Sequence, residues 1–336
     1  MMHGLLKYQA EEFRRGFDLR TKDAAQFLDN LIEATDEPVI RDIFIAWNEK
    51  GIAEDEIFEL ARIMRDRCVR VETSRTKFID IVGTGGSKQK TFNVSTAAAF
   101  VVAGAGVAVA KHGNKAATSN SGSADVLSEL GIEPAVDATI AARCLDEIGI
   151  CFMFAPNFHR LSPTLAKVRR GLGFPTIFNC IGPLCNPASA PHSLIGVWDA
   201  ELVSKMANAL SRLGANRSWI VHGRDGLDEI SHRGSTLVNE IGDGEIREFE
   251  IRSSGSNGRP IRRIESPAES ADLIRGVLNG SLVDSSEEAL VIENAAAAIY
   301  ITGEANDIES AREIALESVR NGNAARKLSE LAAAVK

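Results

Sequence analysis

The stretch GTGGSKQKTFNVST, residues 83–96, follows a short apolar run over 78–82 and opens into the small residues of 96–105. The run reads as a strand and the small residues as a helix, so the glycines sit in a strand-to-helix turn. Gly83, Gly85 and Gly86 remove side chains there, which lets backbone N–H groups approach a ligand closely. A helix opening near Asn93–Thr96 presents its positive end to the same spot, and together these features make an anion site suited to phosphate. Two common phosphate loops are excluded. A Walker loop needs Gly before its Lys, and Ser87 precedes Lys88; the dinucleotide fingerprint needs Gly where Lys88 stands. Lys88 and Lys90 read as solvated loop lysines.

The same alternation continues down the chain. Strands are expected at 107–110, 150–154, 194–198, 218–221 and 237–240, with helices at 123–130, 138–148, 163–170 and 200–213 between them. The first 70 residues lack strand-like alternation and read as helices, including 19–34 and 54–67, and the chain is helical again from Ala268 onward. Residues 178–191, rich in Pro, Gly, Asn and Cys, read as a crossing or hinge. The expected fold class is therefore α/β: a small all-helical domain plus a large α/β domain with a central, mostly parallel sheet flanked by helices.

Composition narrows the partners. The 336 residues carry a formal net charge of -8, which argues against nucleic acid or an anionic membrane. The five cysteines lack paired zinc-site spacing and read as buried reduced thiols. No run of about 18 apolar residues suggests a membrane span and the N-terminus has no signal-peptide pattern, so a cytoplasmic protein is expected.

Three further stretches carry chemistry. KHGNKAATSNSGSADVL, 111–127, is a second polar loop between strand and helix, and two such loops at the same ends of neighbouring strands converge on one crevice. HGRDGLDEIS, 222–231, offers Asp228 and Glu229 as hard oxygen ligands for magnesium beside a diphosphate, against the plainer reading of a surface acid pair at a helix start. FAPNFHRLSPTLAKVRRGLG, 154–173, places Arg169 where its planar fork suits a carboxylate, although Arg169 and Arg170 read equally as exposed helix arginines. His159 reads either as a ligand contact or as a packed loop histidine.

Taken together, GTGG, TFNVST, KHGN, SGSADVL, FNCIGPLCNP and HGRDGLDEIS, in this order, resemble the anthranilate phosphoribosyltransferases, and the resemblance spans nearly the whole chain. It implies transfer of a phosphoribosyl group from phosphoribosyl pyrophosphate (PRPP) to anthranilate, with Mg2+ as cofactor and a homodimer formed through the helical part. It implies a helical domain of 1–72 completed by roughly 165–190, and an α/β domain of 73–164 and 191–336. PRPP contacts are implied at Gly83, Gly86, Ser87, Thr91, Asn93, Val94, Ser95, Thr96, then Lys111, His112, Gly113, Asn114, Lys115, Ala116, Ala117, Thr118, Ser119, and Ser123. Metal ligation is implied for Ser95, Asp228 and Glu229; anthranilate contacts for Gly83, Asn114, His159 and Arg169; and catalytic roles for Lys111, Asn114 and Arg169. The chain departs from the family pattern at Ser87, where Asp is usual, at Lys115 for Arg, and at Asn120 for Lys. A transferase acting on another aromatic amine is the near alternative. A pyrimidine-nucleoside phosphorylase has a similar fold, but its Lys-x-Ser-x-Gly-Gly motif is missing here. A non-catalytic nucleic-acid-binding relative fits poorly with the acidic balance.

Overall fold

A computed structural model describes residues 2–87, 89, 91–116, 121–253 and 260–336; Lys88, Lys90, Ala117, Thr118, Ser119 and Asn120 lie outside the described residues. The N-terminal helices are α1 (Met2–Arg14), α2 (Ala24–Glu33), α3 (Glu37–Lys50) and α4 (Glu54–Arg67). Local chemistry sets their limits. The Asp36 side chain accepts the Val39 N–H with Pro38 in the first turn, and Gly51 ends α3 at φ 87°. Glu56, buried among these helices, accepts the Trp47 indole N–H at 2.8 Å and the Leu19 amide at 2.9 Å, and faces Lys50 at 3.0 Å.

Strands β1 (Ile79–Gly83), β2 (Val109–Gly113), β3 (Ile150–Phe154), β4 (His192–Gly196), β5 (Arg217–Gly223), β6 (Ser235–Gly242) and β7 (Glu245–Arg252) form one seven-stranded sheet in the order β3-β2-β1-β4-β5-β6-β7. Pairing is parallel from β3 to β5 and antiparallel for β6 and β7. Between and after the strands run α5 (Val94–Gly104), α6 (Ser123–Glu129), α7 (Ala138–Arg143), α8 (Ala155–Phe158), α9 (Pro163–Arg170), α10 (Ile177–Leu184), α11 (Glu201–Arg212), α12 (Pro267–Leu278), α13 (Ser286–Ile301), α14 (Ile308–Arg320) and α15 (Asn323–Ala334). The expected mostly parallel α/β sheet with flanking helices is what the chain forms.

Alternation along the strands divides the core. Leu194, Trp219 and Val221 pack with the Ala-rich α5 and α13, whereas Ile195, Ile220 and Leu237 pack with α11 and the N-terminal helices. Leu165, Phe178 and Ile181, from α9 and α10, join the second cluster. The segment read as a hinge over 178–191 is in part helix: α10 runs to Leu184 with Pro183 inside it. Strand β2 begins two residues later than its expected start at 107 and carries Lys111 and His112 itself. Cys68 is partly exposed and the other four cysteines are buried, all as free thiols. Among the described residues no helix is long and apolar enough to cross a membrane.

Candidate active site

In the parallel part of the sheet the loops that follow the strands gather at the carboxyl edge, and the two polar loops leave neighbouring strands β1 and β2 there. The glycine loop turns against α10 and the start of α11. Gly86 holds φ 85°, and a Cβ on it would lie 2.6 Å from Pro175 Cγ. Asn179 Nδ2 donates to the Thr84 carbonyl at 2.9 Å, and Ser87 Oγ reaches the Gly226 carbonyl at 2.9 Å. The latter bond ties the glycine loop to the turn that carries the acid pair.

That turn lies between β5 and β6 and is not a helix start, so the plainer reading of Asp228 and Glu229 does not hold. Its approach to the sheet depends on Gly196, where a Cβ would sit 1.6 Å from the Asp228 carbonyl oxygen. Asp228 and Glu229 line a small cavity of about 20 Å³ with Gly83, Ser95 and Asn294. Glu229 Oε2 is buried with no hydrogen-bond partner. Burial, then Asp228 and Asp225, push the Glu229 carboxyl well above its ordinary range. A carboxylate oxygen with no proton donor, beside a second acid and a hydroxyl, is the donor set of a small hard cation. Among the described residues no group of three or more His, Cys, Asp or Glu could hold a metal, so such a cation would complete its shell with water or substrate oxygens.

Lys111 lies under the same cavity. Its ammonium donates to Ser95 Oγ at 3.1 Å and to the Ile81 carbonyl. Burial lowers it to about 8, opposed by the charges of Asp80 and Glu229. Asp80, fully buried, accepts the His112 amide at 3.1 Å and Asn186 Nδ2 at 2.7 Å. Burial raises its carboxyl to about 6 against the pull of Lys111.

Asn93 ties the polar segments together: its Oδ1 accepts Ser121 Oγ at 2.7 Å and Ser270 Oγ at 2.8 Å. Ser123 Oγ and Asp125 close the neck of the second loop by accepting the amides of Asn114 and Ala116 at 3.2 and 2.9 Å. Asn114 and Lys115 are exposed at that neck, and Thr91 is half-buried. Val94 and Thr96 are buried in the core. Arg169, in the last turn of α9, holds its guanidinium over the Phe178 ring at 4.8 Å and Nη2 3.5 Å from Asn179 Oδ1. Its Nε is buried without a partner, no carboxylate pairs with it among the described residues, and burial lowers it to about 10. Its exposed-arginine reading therefore fails, while Arg170 is exposed. His159 packs 5.1 Å from the His112 ring and bonds the Cys185 carbonyl at 3.0 Å through Nε2, as the packed-histidine reading expects. Burial lowers His112 to about 3 and His159 to about 4, which keeps both neutral.

Sequence reasoning missed Asp80, Asn179, Asn186, Gly196 and Asn294. Asp80 stands as an acid inside an apolar strand, a signal of a buried charge with a partner; the others carry no local mark.

A glycine-rich loop, an acid pair and a buried lysine gather at the carboxyl edge of a parallel sheet, the edge at which enzymes of this α/β class bind their ligands. A family model described as "Glycosyl transferase family, a/b domain" matches residues 75–325. An anthranilate phosphoribosyltransferase from Moorella thermoacetica is 40% identical over 335 residues, with 98% of each chain covered. The crystal structure of the Thermus thermophilus anthranilate phosphoribosyltransferase superposes with a TM-score of 0.84 at 33% identity, covering 97% of this chain and 99% of that one. The Saccharomyces cerevisiae enzyme in complex with PRPP and Mg gives 0.88 at 28% identity, covering 99% and 98%. The chain belongs to the anthranilate phosphoribosyltransferase family.

Proposed function

We propose that this chain transfers the phosphoribosyl group of PRPP to anthranilate and releases pyrophosphate. The observation that carries the reading is the meeting of Lys111, Ser95 and the unpartnered Glu229 oxygen beneath the glycine loop. The anthranilate nitrogen bonds to the anomeric carbon of the ribose, the bond from that carbon to the pyrophosphate oxygen breaks, and the proton shed by nitrogen passes to solvent. Magnesium, held by Ser95, Asp228 and Glu229 with phosphate oxygens, would neutralise charge on the departing group.

The chain's own residues do the rest. The amides of the glycine loop and of the α5 N-terminus bind phosphate oxygens, and Lys111 adds a fixed positive charge where negative charge grows. Ser87 and Asn93 act by holding the loops to one another. Arg169, desolvated and without a carboxylate partner, pairs with the anthranilate carboxylate, and Asn114 orients the amine. The remaining implied PRPP contacts, Gly83, Gly86, Thr91, His112, Gly113, Lys115, Ala116 and Ser123, supply loop backbone and shape; Ala117, Thr118 and Ser119 lie outside the described residues. His159 supports His112 from behind.

In the same reading, residues 1–72 with roughly 165–190 move as a helical domain against 73–164 and 191–336, closing to exclude water. Two copies associate through the helical part, whose surface exposes Leu5, Tyr8, Phe17 and Ile45. The protein works in the cytoplasm.

The test is consumption of PRPP in magnesium, with and without anthranilate. Anthranilate-dependent release of pyrophosphate is expected. Consumption only with another aromatic amine, or phosphorolysis of thymidine or uridine, would replace the acceptor or the reaction.

A further inference from the structure

A cavity of about 520 Å³ lies away from this site. It lies where the C-terminal ends of α4 and α11 meet the segments leading into β4 and β5, and Arg62, Arg65, Arg70 and Arg212 line it against a single acid, Asp66. Those segments precede their strands, so the cavity sits at the amino edge of the sheet. The loops of the candidate active site sit at the carboxyl edge, about 16 Å away along a five-residue strand.

Two of the four arginines are already neutralised. Arg62 pairs with Glu59 at 2.9 Å and faces Asp66 at 3.4 Å. Arg212 pairs with Asp55 at 2.6 Å and stacks on the Phe58 ring at 3.8 Å. Arg65 has no carboxylate partner among the described residues. Its Nε and Nη1 donate to the Leu184 and Leu213 carbonyls at 2.5 and 3.0 Å, capping α10 and α11, and burial lowers its pKa. Arg70 is exposed and makes no ion pair among the described residues. Ser189, at φ 53°, lines the same cavity. A non-glycine residue held in that region is a feature that collects at ligand clamps. In a chain of net charge -8, two uncompensated guanidinium groups on a cavity of ligand size form a local exception.

We propose that this cavity is a second binding site, for a compact metabolite with two oxyanion groups, carboxylate or phosphate, held by Arg65 and Arg70. Each oxyanion takes N–H bonds in the guanidinium plane, where Arg is the better donor than Lys. The site stands whether or not the transferase reading does, because none of its residues belongs to the candidate active site.

The test is calorimetric titration of the full-length protein with citrate, and separately with inorganic phosphate, in magnesium-free buffer. Saturable citrate binding is expected, weakened about tenfold or more by Arg70→Glu at unchanged melting temperature and unchanged by Lys111→Ala. Phosphate that binds and competes with citrate makes the site general for oxyanions; phosphate that does not makes it selective for carboxylates. Arg65→Gln, if it folds, loses citrate as well; should it unfold through loss of its two helix caps, Arg70→Glu alone decides. Absence of saturable binding, equal affinity in Arg70→Glu, or loss in Lys111→Ala would each overturn the proposal, the last by placing the anion in the active-site crevice.

Discussion

The ammonium of Lys111 lies 3.1 Å from the hydroxyl of Ser95, which joins the middle of β2 to the first turn of α5 beneath the cavity shared by Ser95 and Glu229. A buried cation so placed has a use that solvent cannot supply, since its charge is fixed before the reaction begins. Replacing it by Met keeps the stem and removes the charge. Lys111→Met is expected to lower kcat by about 10²- to 10³-fold while leaving the KM for anthranilate within about twofold, measured by steady-state kinetics with fluorescence detection of the acceptor.

Asp80 governs the pH response of the same cluster. Its carboxyl is raised from 3.8 to about 6, so the folded state holds a proton that the unfolded state has released between those values. Its contribution to stability is therefore fully present below about pH 4 and lost as pH rises through about 6, a change of about 3 kcal/mol at most. Lys111, lowered from 10.5 to about 8, acts at the other end: stability is present above 10.5 and lost as pH falls through 8. Asp80→Asn is expected to remove this fall in stability from the acid limb of the urea-midpoint profile between pH 4 and 6. At pH 7 it is expected to cost about 1–3 kcal/mol, because an amide cannot accept from both the His112 amide and Asn186. An unchanged acid limb would remove Asp80 from this role.

Two glycines set the height of the acid-bearing turn, with different tolerances. At Gly196 a Cβ meets the Asp228 carbonyl at 1.6 Å, a backbone clash that only movement of the turn relieves. At Gly83 the nearest atom is Asp228 Oδ2 at 3.1 Å, the end of a side chain. Gly196→Ala is expected to abolish activity and lower the melting temperature by several degrees. Gly83→Ala is expected to keep the fold and raise the magnesium concentration for half-maximal rate about three- to tenfold. Calorimetry and a magnesium titration of the rate separate the two outcomes.

How much of this was legible in the chain depends on whether the signal was local. Helix α4 matches its expected limits, and β3 its own, because apolar spacing and flanking residues agree there. The polar loops after β1 and β2 were legible as one crevice, since consecutive donors in a globular chain need a ligand or a partner. Helix α10 was not: Gly182 and Pro183 read as breakers, and only packing of Ile177, Cys180, Ile181 and Leu184 into the core overrides them. Strand β7 escaped because it is an edge strand with charged residues on an exposed face and pairs only with β6. Asn294 sits in an alanine-rich helix, and its place beside the acid pair follows from the packing of α13 across the sheet.

Arg169 tests the acceptor itself. Its guanidinium is desolvated, stacked on Phe178, and without a carboxylate partner among the described residues, an arrangement that costs stability unless a ligand supplies the missing charge. Arg169→Met removes the buried charge and keeps much of the packing, so the unliganded protein is expected to be as stable as the parent or slightly more so. Its KM for anthranilate is expected to rise about 10²-fold, the worth of a charge-assisted bidentate contact, with the KM for PRPP nearly unchanged. Aniline, which lacks the carboxylate, is expected to be a poor substrate for the parent and no worse for the variant. A matching loss on both acceptors would instead assign Arg169 to the shape of the glycine loop, through Asn179 and Thr84.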